Sequence, residues 1–342
     1  MKRMREGSLG RSLGRAVILL TCTCIILLPA LINGFPFVYS DTGTYLKSAF
    51  EGYIPFDRPY WYGVFVRITS GGGLSLWGVV IVQSALCAAY ILRVSKLLVP
   101  AGKAKRAAVI ICAVLTAGTG LSWYAGQLIP DIFTGIGLLA VYLLLRGREG
   151  AWLRVFDVLI VVAACWMHLS NLIILPLVGC ALLILGRWFS PAPKPFDKKW
   201  KWLVASTVLA WAGLGIANRV VDGAFYLSRS GHVFLVGRMV DTGMLKAYLK
   251  EHCATEHFNL CAYADSLPGT SGEFLWGDNS PVREEGGWKA TGPEYDRIIR
   301  GTLAEPRFLL WHVRASVAST AEQLCAWQIC GGLQTAWYRS PD

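Results

Sequence analysis

Charge is scarce in this sequence. Only 16% of its 342 residues are Asp, Glu, Lys or Arg, against about 25% in a soluble globular domain. With 54% hydrophobic residues, that deficit excludes an ordinary soluble domain and predicts a polytopic membrane protein. Other absences narrow the function. Gly71-Gly72-Gly73 has no Lys-Ser/Thr after it and no strand pattern before it, so it is not a phosphate-cradling loop. There is no Ser-His-Asp order with a nucleophile elbow, no internal repeat and no low-complexity tract. Ionisable residues are nearly missing from the apolar runs; Arg93 and Asp157 fall near run ends. A transporter or flippase places charged or Gly/Pro-broken positions along a path in mid-span, so this scarcity argues against transport. The formal net charge of +11 forms no contiguous basic face, which excludes nucleic acid as a partner. The charge sits in short loops, where it signals topology and contact with anionic membrane lipid.

What is present is an alternation. Lys2, Arg3, Arg5, Arg11 and Arg15 open the chain. Further basic gaps hold Lys96, Lys103, Lys105 and Arg106, then Arg146, Arg148 and Arg154, then Arg187, Lys194, Lys198, Lys199 and Lys201. The gaps between them are poor in Lys and Arg but hold Asp41, Asp57, Arg58, Asp131 and His168. Basic short loops stay in the cytoplasm. The N-terminus is therefore expected in the cytoplasm of a plasma (inner) membrane protein, with the chemically useful side chains on the opposite face, in the cell envelope.

About seven spans are expected, at 16–34, 74–95, 107–124, 131–146, 155–169, 171–188 and 202–220, each near the length a bilayer demands. The first run is followed by Asn33-Gly34-Phe35-Pro36 without a small-x-small cleavage site, and reads as an uncleaved helix rather than a signal peptide. His168-Leu169-Ser170-Asn171 makes a tight outer hairpin, and the Pro-rich segment 190–195 a stiff cytoplasmic loop. The fold class expected is all-α and polytopic, with 7–8 transmembrane helices. The domains expected are a transmembrane helical domain at 1–221 with its first outer loop at 35–73, a small extracytoplasmic α+β or helical domain at 222–306, and a tail at 307–342 that spans or lies on the membrane. Within the outer domain, 240–250 and 293–303 read as helices and 268–288 as loop.

Six of the ten cysteines lie in apolar spans and read as small buried side chains. Cys253 and Cys261 lie in the outer domain and are a disulfide candidate in an oxidising compartment. A sharper alternative is zinc, since His252, Cys253, His257 and Cys261 form an HC-x3-H-x3-C string. Zinc sites more usually pair C-x2-C or H-x3-H with a distant second pair, so no metal is assigned.

The chemistry gathers in the first outer loop, which reads Pro36-Phe37-Val38-Tyr39-Ser40-Asp41-Thr42-Gly43-Thr44-Tyr45 and continues to Asp57-Arg58-Pro59-Tyr60-Trp61-Tyr62. A second acid, Asp131, follows Pro130 at the outer end of the fourth span. A carboxylate there can take a proton from an acceptor hydroxyl, and Arg58 can hold a phosphate through paired hydrogen bonds. Each residue also has a plainer reading. Asp41 and Asp131 are good helix-cap residues, Arg58 can be an exposed interfacial residue, and Tyr45, Tyr53, Tyr60, Trp61 and Tyr62 can form an aromatic belt. His168 can be a local hydrogen-bonding residue in its turn.

In this loop the chain resembles the GT-C class of membrane glycosyltransferases, which use polyprenyl-phosphate sugars and carry an essential acid just after the first helix. The resemblance covers roughly residues 16–220 by architecture, and its specific motif is Tyr39-Ser40-Asp41-Thr42-Gly43-Thr44-Tyr45. It implies Asp41 as catalytic base or acceptor-orienting acid and Asp131 as the second acid. It also implies Arg58, Tyr45, Tyr60, Trp61 and His168 as substrate-binding residues. The implied partners are a lipid-linked sugar donor and a glycan, lipid or protein acceptor. Many members carry paired acids in this loop; here Thr42 and Gly43 follow Asp41, so a divalent metal is not implied. Members usually have more helices after the seventh, so the chain reads as a short form or a fragment. The alternatives are a non-catalytic assembly protein whose outer domain binds a partner, or a transporter/flippase.

Overall fold

The structure, a computed structural model, describes residues 2–100, 102–147, 149–189 and 199–325. The Pro-rich segment 190–195, Cys330 and the final tail lie outside the described residues. Among the described residues every element is helical, and the one strand-like pairing is an isolated parallel bridge between Phe37 and Gln127. The chain divides into two units, Met1–Ser228 and Arg229–Asp342.

The first unit holds α1 (Lys2–Asn33), α2 (Thr42–Glu51), α3 (Trp61–Thr69), α4 (Trp77–Leu98), α5 (Ala104–Gly118), α6 (Leu121–Gly126), α7 (Ile132–Arg146), α8 (Ala151–Met167), α9 (Asn171–Trp188) and α10 (Trp200–Asp222). Gly223 closes α10 in the left-handed region, at φ 78°, where a residue with a side chain is strained. The following turn still belongs to this unit, because the Asn218 side chain donates to the Tyr226 carbonyl. The boundary therefore falls after Ser228 rather than at 221.

Four segments are long and apolar enough to cross a membrane: Leu13–Asn33, Trp77–Leu98, Asn171–Trp188 and Trp200–Asp222. They mark a multi-pass membrane protein. The other three expected spans are shorter. Helices α5 and α7 have 15 residues each and α8 has 17, or about 22–25 Å against a hydrocarbon core of about 30 Å. The chain itself sets these limits. Thr119 and Gly120 split the 107–124 run into α5 and α6, and α7 cannot start before Pro130. Helix α8 starts only after Gly150. Tight packing needs a small residue on α7: a side chain at Gly137 would meet Leu175 of α9 at 2.8 Å and Ala164 of α8 at 3.1 Å.

The bundle is polar at both ends and apolar between them. At one end Arg93 of α4 pairs with Asp157 of α8 at 2.6 Å and with Glu149. Tyr90 donates to the same Asp157 carboxylate at 2.7 Å. Lys199 reaches the Gly147 carbonyl at 3.0 Å, and Arg146 reaches the Leu182 carbonyl. The other end carries the candidate site.

The second unit is helical, not α+β. It comprises α11 (Gly231–Asp241), α12 (Met244–His252), a 3-10 turn (Asn259–Tyr263), α13 (Ser271–Trp276), α14 (Pro281–Glu284), α15 (Gly292–Ala304) and α16 (Pro306–Cys325). The stretch 268–288, expected as loop, holds α13 and α14. The Thr270 and Ser280 side chains accept hydrogen bonds from the first turns of those two helices, which is what lets such short helices form. The core gathers Val233, Val236, Leu245, Leu249, Phe274, Tyr295 and Ile298. Glu294 sends its carboxylate to the backbone N–H groups of Asn259 and Leu260. Helix α16 buries Phe308 and exposes Leu309, Leu310, Val313, Val317 and Leu324; it is not among the four segments apolar enough to span.

Glu285 gives this unit an expected pH response. Burial, and then the charge of Glu294, push its carboxyl up from 4.5 to about 7, and one of its oxygens is buried with no hydrogen-bond partner. The fold thus favours the neutral acid. That contribution is complete below pH 4.5 and is lost as pH rises through about 7. Thermal melts of the full-length protein between pH 4.5 and 7.5 are expected to show stability falling across this window. Glu285→Gln should flatten the fall; an unchanged slope in that variant would assign the effect elsewhere.

Candidate functional site

The site is built from the bottom by main-chain pairing. After α1 the chain lies alongside the segment before α7: the Phe37 N–H donates to the Gly126 carbonyl at 2.8 Å, and the Leu128 N–H to the Phe37 carbonyl at 2.9 Å. The Thr42 hydroxyl accepts from the Tyr39 N–H and donates to the Leu128 carbonyl. Gln83 of α4, fully buried, donates to the carbonyls of Ala125 and Gln127 at 3.1 and 3.0 Å and accepts from the Tyr62 hydroxyl at 2.7 Å. One amide thus joins three segments that are distant in sequence. Gln83 stands six residues inside the Trp77 end of α4, so this floor is recessed by roughly 9 Å along that helix.

Asp41 and Asp131 precede the first residues of α2 and α7. Neither side chain caps its helix, although sequence alone allowed that role for both. Asp41 instead meets Arg58 Nη1 at 2.7 Å and accepts from the Ser40 hydroxyl at 3.2 Å. Asp57 takes the other edge of the same guanidinium, with its Oδ2 accepting from Nε at 3.0 Å and Nη2 at 2.6 Å. The Arg58 side chain is 14% exposed, so it is not a free interfacial residue. Burial opposes its charge, but its interactions with the acceptor carboxylates of Asp57 and Asp41, and their charges, outweigh burial and hold it above the usual arginine range.

Tyr45 lies 5.8 Å from the Arg58 guanidinium and edge-on to Tyr62 at 4.8 Å. Burial pushes the Tyr45 phenol well up; Arg58 offsets part of this, and the charges of Asp41, Asp131 and Asp57 add to it. All three carboxylates therefore lie within electrostatic reach of one buried ring. Asp131 Oδ1 in turn stands 3.8 Å from His168 Nε2, and His168 Nδ1 is 2.7 Å from the Ser170 hydroxyl. Four of the six residues singled out as binding or catalytic around Asp41, namely Arg58, Tyr45, Asp131 and His168, thus form one chain of contacts and charge interactions with it.

The remaining two candidates lie differently. Trp61 packs on Trp166 at 5.0 Å and donates to the Asn218 side chain at 3.1 Å, which ties α3 to α8 and α10. Tyr60 is half-buried at the start of α3, edge-on to Trp61. Sequence reasoning missed Asp57 and Gln83 as parts of the site. The signal for Gln83 was available: a lone amide inside the apolar run of α4 needs buried partners.

Among the described residues no group of His, Cys, Asp and Glu is arranged to hold a metal. In the second unit Cys253 and Cys261 form a disulfide, with Cα atoms 5.7 Å apart, so neither thiolate is a zinc ligand. His252 points to Glu305 at 2.8 Å.

No family model, curated protein or solved structure matches this chain.

Proposed function

We propose that this protein is a membrane glycosyltransferase that moves a hexosyl or pentosyl unit from a polyprenyl-phosphate donor to an acceptor hydroxyl on the extracytoplasmic face. The supporting observation is the meeting of Asp41, Arg58 and Tyr45 from the first loop with Asp131 and His168 from two later helix ends. Nothing in the packing of a simple cap or aromatic belt requires these groups to converge. In this reading the N-terminus is cytoplasmic and the second unit extracytoplasmic. The short α5, α7 and α8 complete seven crossings, and α16 spans or lies on the membrane.

The parts then divide the work. The acceptor hydroxyl gives its proton to Asp41 as its oxygen bonds to the anomeric carbon; the bond from that carbon to the phosphate oxygen breaks, and polyprenyl phosphate leaves. Arg58 has five N–H donors; two are hydrogen-bonded to Asp57, Nη1 makes an ion pair with Asp41 but no aligned hydrogen bond, and the guanidinium receives the charge on the departing phosphate. Asp131 faces the positive charge that builds on the sugar carbon as the bond breaks.

The test is transfer by the purified protein in liposomes supplied with a panel of polyprenyl-phosphate sugars, beside Asp41→Asn. Turnover that disappears in a folded Asp41→Asn protein supports the reading. Absence of turnover with every donor, with both proteins folded, overturns it in favour of an assembly or transport role.

A further inference from the structure

We infer that Asp41 is a latch on the phosphate site: in the resting protein it occupies Arg58, and an incoming phosphate displaces it, binding and base release being one event. The inference rests on the glycosyltransferase reading for the base role of Asp41. The displacement itself rests on geometry.

Three carboxylates, those of Asp41, Asp57 and Asp131, surround Tyr45 and the single guanidinium of Arg58. With three carboxylates around one guanidinium, the group carries more negative than positive charge. A phosphate anion entering such a site is repelled unless one carboxylate withdraws. The two that hold Arg58 are not equivalent. Asp57 is its chain neighbour and grips Nε and Nη2 together with one oxygen. Asp41 makes one contact, to Nη1, and its side chain is 40% exposed against 23% for Asp57. Asp41 also has a second partner ready, the Ser40 hydroxyl at 3.2 Å, and no cap bond ties it to α2. Asp41 is therefore the carboxylate that yields, while Asp57 keeps the guanidinium in place.

While it sits on Arg58 Nη1, the Asp41 oxygen is occupied by the guanidinium. Once phosphate takes Nη1, that oxygen is free to turn to the acceptor hydroxyl and take its proton. A base released only when donor is present acts only on a loaded site.

The inference makes a prediction opposite to that for an ordinary substrate-binding acid. Asp41→Asn should lose transfer yet hold phosphate more tightly. Affinity for undecaprenyl phosphate is measured with the full-length protein in nanodiscs, for wild type, Asp41→Asn, Arg58→Ala and the double variant, with inorganic phosphate as the lipid-free arm. Asp41→Asn is expected to bind the lipid at least about tenfold more tightly, since one carboxylate–guanidinium ion pair no longer has to be displaced. The gain should vanish when Arg58 is also replaced. A matching gain with inorganic phosphate, or a gain confined to the lipid, both support the latch and say which part of the ligand is held. Equal or weaker binding by a normally melting Asp41→Asn protein overturns it, as does a gain that survives in the Arg58→Ala background. The two proposals fail separately: tighter binding with no wild-type sugar transfer leaves the latch without the transferase, and transfer with unchanged affinity does the reverse.

Discussion

Asp131→Asn is expected to lower turnover by about 10²- to 10³-fold, the range for loss of one preorganised electrostatic group, with little change in the KM for donor. The split follows from where Asp131 stands. It does not reach Arg58, and its neighbour is the His168 imidazole, 3.8 Å away, so its charge is not committed to holding the ground state together. On the glycosyltransferase proposal, a carboxylate in that position acts when positive charge appears on the sugar carbon, in the transition state, and a group that acts only there moves kcat rather than KM. The variant should fold normally, because the Asp131 side chain makes no cap bond to α7 and Asn is as good a residue before a helix as Asp. His168→Ala should have a smaller effect in the same direction, since the imidazole orients Asp131 without facing the reacting carbon itself. Steady-state kinetics on proteoliposomes, with a melting curve for each variant, check both. A raised KM at unchanged kcat for Asp131→Asn would move this residue from the reacting centre to substrate capture.

The residues of the site were readable in the sequence because the chain is so poor in charge. Between apolar runs an Asp, Arg or His stands out, and the basic alternation sorts Asp41, Arg58, Asp131 and His168 onto one side. Their meeting was not readable, because it depends on main-chain pairing of Phe37 with Gly126 and Leu128 and on one buried glutamine, none of which leaves a spacing pattern. Asp57 was hidden for a related reason. It stood in the polar loop with no role assigned, and burial of the neighbouring guanidinium makes it a structural partner. The packing of Trp61 was hidden too: an aromatic next to Arg-Pro suggests a sugar platform, and no spacing shows that its indole N–H donates to Asn218, 157 residues away. The helical architecture was legible from the runs themselves. The helix lengths were less so, since hydropathy continues through Thr119 and Gly120 while the helix does not. In the second unit the side-chain caps of Thr270 and Ser280 made helices from a stretch whose Gly, Asp and Asn content reads as loop.

The far end of the bundle carries the largest expected stability effect. Asp157→Ala should destabilise the protein by about 3–5 kcal/mol, the cost of removing one partner from a buried ion pair. Asp157 is 1% exposed and takes two hydrogen bonds from Arg93, both at 2.6 Å, and one from Tyr90. Removing it leaves a guanidinium that is 10% exposed with Glu149 as its remaining acid, and leaves the fully buried Tyr90 hydroxyl with no acceptor. The penalty comes from the stranded partners rather than from the lost attraction. Replacing Arg93 and Asp157 together by Met and Leu should therefore recover only part of the loss: no guanidinium is stranded, but Glu149 loses its partner and the Tyr90 hydroxyl still lacks the Asp157 acceptor. Denaturant titration in mixed micelles distinguishes the cases. A single-variant loss under about 1 kcal/mol would mean that Glu149 alone satisfies Arg93, so that the α4–α8 contact is held by its apolar surface. A double variant as unstable as the single one would instead show that the ion pair fixes the register of the two helices, and that packing alone does not. Because α4 also carries Gln83, which holds the floor of the site, a register shift at this end should lower transfer activity as well as stability.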